Sequence, residues 1–213
     1  MVAHEYAHGY AALRQGDPTA YMLGRLTFNP LKHIDPWMTV MVPLLLWFST
    51  GGRMVFGGAK PVPVNPRNYR NYRRGDIIVS LAGIATNLGL AAASLAGFVV
   101  VGVAGAAVPD ISATLAILQR MMLWGIWLNL LLAFFNLIPI PPLDGSHVLV
   151  YLLPPQIALR YRELSRYGFL MLLGLMVFAP GTFSVLLYPA ERLNQLALGV
   201  AQHFALRSPT PWQ

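Results

Sequence analysis

Residues 77–108 read IIVSLAGIATNLGLAAASLAGFVVVGVAGAAV, a run of apolar and small residues with no charge. At 1.5 Å per helical residue this stretch extends about 48 Å, more than the roughly 30 Å of hydrocarbon in a bilayer. No soluble helix needs so long an uncharged run, so the reading of the whole chain turns on it. On its far side, Val108, Pro109 and Asp110 form a short loop without positive charge, suited to the outer face. Ala113 to Ile138 gives a second long apolar run, ended by Pro139, Pro141 and Pro142. Tyr167 to Tyr188 is a third, interrupted at Pro180 and Gly181. Trp37 to Phe48 is apolar but short and contains Pro43, which suits a re-entrant segment or short membrane helix.

Composition agrees. Hydrophobic residues make up 56% of the 213 and charged residues 11%, against about 25% charged in an ordinary soluble domain. Mean hydropathy is +0.54. The formal charge of +7 sits mostly in loops: Arg14, Arg25 and Lys32; Arg53, Lys60, Arg67, Arg70, Arg73 and Arg74; Arg160, Arg162 and Arg166. That is where the positive-inside rule places basic residues, and it makes these loops cytosolic in a multi-pass cell-membrane protein. No basic stripe with interleaved aromatics is present, so nucleic acid is not an expected partner. There is no cysteine, hence no disulfide and no thiolate ligand.

The expected fold is an all-α polytopic membrane protein with about four to five membrane segments and a small β-strand or re-entrant element on the cytosolic side. Two stretches read as strands: Ala20 to Phe28, and Ala59 to Val64, where Val62 and Val64 alternate with prolines as on an edge strand. Residues 1–188 are expected to form the core and 189–213 an amphipathic surface tail.

Chemistry enters at the start of the chain, with His4-Glu5-Tyr6-Ala7-His8. On a helix, positions i and i+4 share a face, so His4 and His8 can hold one metal ion, with Glu5 placed to take a proton from its water. Only Met1, Val2 and Ala3 precede the first histidine. From His8 to Asp17 is about 14 Å of helix, so the motif falls near mid-depth on half a span. The expectation is an N-terminally truncated form or a wrongly assigned start, the alternative being a short helix that ends inside the protein.

Catalytic zinc sites usually have three protein ligands and one open position. Asp144, in Asn136-Leu-Ile-Pro-Ile-Pro-Pro-Leu-Asp144-Gly145, is a carboxylate just after a spanning segment. The residues alone leave it equally a ligand or a helix N-cap. Asn87 and Asn136 lie within spans, where they could join helices or contact a substrate backbone or oxyanion.

Taken in order, five segments resemble the site-2 protease family of intramembrane zinc metalloproteases, in the short branch that lacks a PDZ domain. They are His4 to Gly9, Asn29 to Pro36, Gly58 to Pro66, Gly83 to Asn87, and Asn136 to Gly145. The resemblance covers about residues 3 to 175. It implies one zinc ion per chain held by His4, His8 and Asp144, with Glu5 as general base. It implies cleavage of the transmembrane segments of other membrane proteins, within the lipid bilayer, and it favours a functional role for Asn136. A catalytically inactive metal-binding scaffold or pseudo-protease is the alternative function. Substrate and oligomeric state are not legible.

Overall fold

The computed structural model describes residues 1–52 and 55–206. Arg53, placed above in a basic loop, and the last seven positions of the expected tail lie outside the described residues. The chain divides into two compact units, Met1–Gly83 and Ile84–Gln213.

The first unit opens with α1 (Val2–Gln15), stopped where the sequence suggests. Gly16 turns left-handed at φ 111°, and the Gly16 and Asp17 amides close on the Leu13 and Ala12 carbonyls. Asp17 accepts from the Thr19 amide at 3.1 Å and so begins a short helix, α2 (Thr19–Met22). Three Asx-Pro pairs then start helical turns in the same way. Asn29 accepts from the Leu31 amide, Asp35 from those of Trp37 and Met38, and Asn65 from that of Arg67. The second of these opens a π-helical turn, Pro36–Met41, that leads into α3 (Val42–Ser49).

No strand occurs among the described residues, which corrects both strand expectations. Over 20–28 the backbone bonds are local: Thr19–Met22 is helical, and the Arg25 and Thr27 amides reach the Ala20 and Arg25 carbonyls. Residues 59–64 form no regular element and pair with no neighbouring strand. Pro61 and Pro63 have no N–H to give, and the amides of Lys60 and Val62 go to the His33 carbonyl and the Glu5 carboxylate.

Helix α4 (Tyr72–Ala107) begins in the first unit, where Asn71 accepts from the Arg74 amide, and continues into the second. The second unit then holds α5 (Ser112–Leu137), α6 (Asp144–Val150), α7 (Pro155–Leu164), α8 (Gly168–Phe178) and α9 (Pro180–Ala201). Its core joins Ala91 of α4, Ile126 and Leu130 of α5 and Ala190 of α9.

Among the described residues, α4 and α5 are long and apolar enough to cross a membrane. The broken pair Pro155–Phe178 and Pro180–Phe204, bent by 98°, would make a third. That count of two to three falls below the expected four to five, because α1 and the Pro36–Ser49 segment are short of a full span. Helix α9 runs through Pro189 without a break, so the expected boundary between core and tail falls inside one helix.

Candidate metal centre

His4 and Glu5 are buried in α1, and His8 lies one turn further on. The two imidazoles stand nearly perpendicular, at 84°, with their Nε2 atoms 2.9 Å apart. His8 Nδ1 lies 2.7 Å from the Val79 carbonyl of α4. A carbonyl only accepts, so Nδ1 carries the proton and a neutral His8 presents a bare Nε2 lone pair. Without a metal, His4 donates to that lone pair. When His4 gives up the proton, two lone pairs converge on one point. Two imidazole nitrogens on one tetrahedral zinc, each bound at ~2.0–2.1 Å, lie about 3.3 Å apart, so the donor set and its spacing fit this metal. The Val79 carbonyl is the kind of outer partner that fixes a histidine ligand's tautomer.

Glycine explains how α4 comes so near. A Cβ at Gly83 would lie 2.5 Å from both His4 Cε1 and His8 Nε2. At Gly9, on α1, a Cβ would lie 2.9 Å from Val62 and about as close to Leu26 and Ala20. The first glycine lets α4 touch the imidazoles; the second lets Val62 reach α1.

That approach positions Glu5. Glu5 Oε2 accepts from the Val62 amide at 2.8 Å, in a buried bond. The segment that carries Val62 is pinned on both sides. Thr39 donates to the Gly58 carbonyl at 2.7 Å, and Arg25 reaches the Lys60 and Pro61 carbonyls at 3.1 and 3.3 Å. The Asn65 amide donates to Asp17 at 2.6 Å, and Asn68 Nδ2 donates to the same carboxylate at 2.8 Å. Asp17 is wholly enclosed. Burial pushes its pKa up, but the bonds from Asn65, Thr19 and Asn68 outweigh it and hold the carboxyl below its ordinary value. Burial, reinforced by Asp76 and Asp17, pushes the nearby Tyr69 hydroxyl well up.

The other predicted site residues belong to the second unit. Asp144 is the first residue of α6; Leu143 holds the N-cap position, where no side chain caps the helix. A Cβ at Gly145 would run into the Leu137 carbonyl, so glycine lets the start of α6 fold back on the end of α5. Asn87 is fully buried in α4. Asn136 donates through Nδ2 to the Leu132 carbonyl of its own helix at 2.9 Å. The histidines outside the motif differ from one another: His33 is buried and donates to the Thr27 carbonyl, whereas His147 and His203 are exposed.

Sequence reasoning missed Val62, Val79 and Asp17 as parts of this centre. Val62 and Val79 act through backbone groups, which side-chain patterns do not reveal. Asp17 reads as a helix stop. The one available signal was the alternation of Pro61, Val62 and Pro63, which isolates a single donor.

Comparison with known proteins gives the family. The model of the family described as "Peptidase family M50" matches residues 99–177. A protein of Bacillus subtilis named "Putative zinc metalloprotease YwhC" is 38% identical over 182 residues, covering 84% of this chain and 77% of the relative. Two proteins named "Putative zinc metalloprotease Rip2" are more distant. That of Mycolicibacterium smegmatis is 32% identical over 83% of this chain and 63% of its own length. That of Mycobacterium tuberculosis is 29% identical over 82% and 62%. No solved structure gives a significant match.

Proposed function

The chain belongs to peptidase family M50, the site-2 protease group, and from that premise we propose that it is an intramembrane zinc endopeptidase that cuts transmembrane segments of other membrane proteins. The observation that carries the proposal is the His4–His8 pair, with Nε2 atoms 2.9 Å apart and His8 oriented by Val79. His4, His8 and Asp144 would hold one zinc ion per chain. Bound there, zinc would lower the pKa of a coordinated water and polarise the scissile carbonyl. Glu5, held by the Val62 amide, takes the proton of the attacking water and returns it to the leaving amine. Asn87 and Asn136 would steady the substrate backbone or the oxyanion. A helical substrate hides its carbonyls in hydrogen bonds, so it must unwind before attack. The protein would sit in the cell membrane as a multi-pass enzyme, its basic loops on the cytosolic side.

The test is a pair of variants assayed on a model spanning peptide in detergent. Glu5→Gln should keep about one equivalent of zinc and lose cleavage by about 10²–10⁴-fold. Asp144→Ala should lose zinc and activity together. Undiminished cleavage by Glu5→Gln would remove Glu5 as the base, and full zinc in Asp144→Ala would remove Asp144 as a ligand.

A further inference from the structure

With α4 and α5 across a membrane, helix α9 would bring charge to a depth where charge is expensive. Ala190 is fully buried against Ile126, Leu130 and Ala91, near the middle of helices long enough to span. Beyond the end of α9 the chain is tied down by Gln119 of α5. Its Nε2 donates to the Phe98 and Phe204 carbonyls at 3.0 and 2.9 Å, and its Oε1 accepts from the Leu206 amide at 2.9 Å. A side chain at Gly102 would run into the Phe204 carbonyl, so glycine makes room for this anchor. The helix therefore lies along α5, and Glu191 and Arg192, next to Ala190, share its mid-depth.

These two residues belong to an exposed stripe. Tyr188, Glu191, Arg192, Gln195 and Gly199 are all exposed and recur at helical spacing. Arg192 Nη1 donates to Gln195 Oε1 at 3.1 Å, with its guanidinium 5.7 Å from the Tyr188 ring centroid. Glu191, Asn194 and Gln195 line, with Trp124 and Trp127 of α5, a cleft of about 310 Å³. Apart from the adjoining turns of its own helix, nothing lies within 4 Å of where a Cβ at Gly199 would be.

We propose that this stripe is the contact surface for a second copy of the chain, paired about a two-fold axis along the membrane normal. Lipid tails offer no partners to a carboxylate, a guanidinium and a carboxamide. A second copy does. The axis sets two α9 helices parallel with equal residues at equal depth, so Arg192 of one copy faces Glu191 of the other, twice. The two Gln195 amides meet between them, and interhelical bonds of this kind join helices in membranes. Gly199 allows the backbones to approach, and the Trp-lined cleft gives the contact an apolar flank. The pairing rests on the membrane placement of α4 and α5 and not on the protease chemistry.

The chain has no cysteine, so single-cysteine cross-linking is clean. Gln195→Cys in native membranes should give a disulfide-linked dimer on oxidation, and Val100→Cys, exposed on α4, should not. With labelled protein in lipid vesicles, energy transfer should show dimer dissociation strengthened about threefold per interhelical hydrogen bond lost in Glu191→Ala. Gly199→Leu, whose site has open space, should abolish the dimer. Absence of dimer at Gln195, equal yield at both cysteine positions, or a Gly199→Leu variant that dimerises normally would each overturn the proposal. Loss of protease activity would not bear on it.

Discussion

An alanine at position 83 would place its Cβ 2.5 Å from His4 Cε1 and from His8 Nε2. Ordinary contacts of this kind are about 3.5–4.0 Å, so the helix or the two rings must yield by about 1 Å. Two effects on folding oppose each other. Alanine favours an α-helix over glycine by about 1 kcal/mol, and overpacking costs about 1–3 kcal/mol. The metal-free protein should therefore lose only about 0–2 kcal/mol of stability. Zinc is less forgiving, because its nitrogen ligands sit within a few tenths of an ångström of ~2.0–2.1 Å. Disturbing the groups that orient ligands lowers affinity about 10–100-fold, and Gly83→Ala should fall in that range. Chelator competition on purified protein in detergent reads the affinity, with denaturation of the metal-free form measured alongside. A variant that folds and binds zinc within about threefold of the parent would refute the close packing of α4 on the imidazoles.

Other outcomes follow from the loop that holds Glu5. Val62→Pro removes the donor to Glu5 and should keep zinc while slowing peptide cleavage about 10–100-fold, the worth of a hydrogen bond to a charged group; an unchanged rate would show that Glu5 needs no such support. Asp17→Asn should destabilise the protein by about 1.5–3 kcal/mol at neutral pH, measured by denaturation in detergent. The folded-state pKa of Asp17 is lowered, so its contribution is present above the ordinary carboxylate value near 4 and fades as pH falls through the folded value. The gap between parent and variant should thus narrow below about pH 4, and a gap that widens there would reverse the assignment.

Much of this was legible because it depends on spacing. His4 and His8 share a helical face by arithmetic, and Gly16 announces the end of α1. The runs read as 77–108 and 113–138 became Tyr72–Ala107 and Ser112–Leu137, since long apolar periodicity leaves few alternatives. The strand readings failed because an extended backbone needs a partner, and sequence cannot say where its amides go. Those of 59–64 found a carbonyl and a carboxylate from elements distant in the chain. Helix α9 runs through Pro189, where the burial of Ala190 against α5 outweighs one missing hydrogen bond. What Gly83 approaches, two imidazoles, could be seen only in three dimensions.

The stretch between Gly57 and Asn65 is irregular, and its order is borrowed. Each anchor comes from somewhere else: Thr39, His33, Arg25, Glu5 and Asp17. None of Asn65, Asn68 and Thr19, which bond Asp17, touches Glu5, yet the placement of the Glu5 carboxylate descends from them. Drift in sequence at such positions could silence a member of this lineage while its metal-binding signature stayed intact. A survey that judged competence from the signature alone would count it as active.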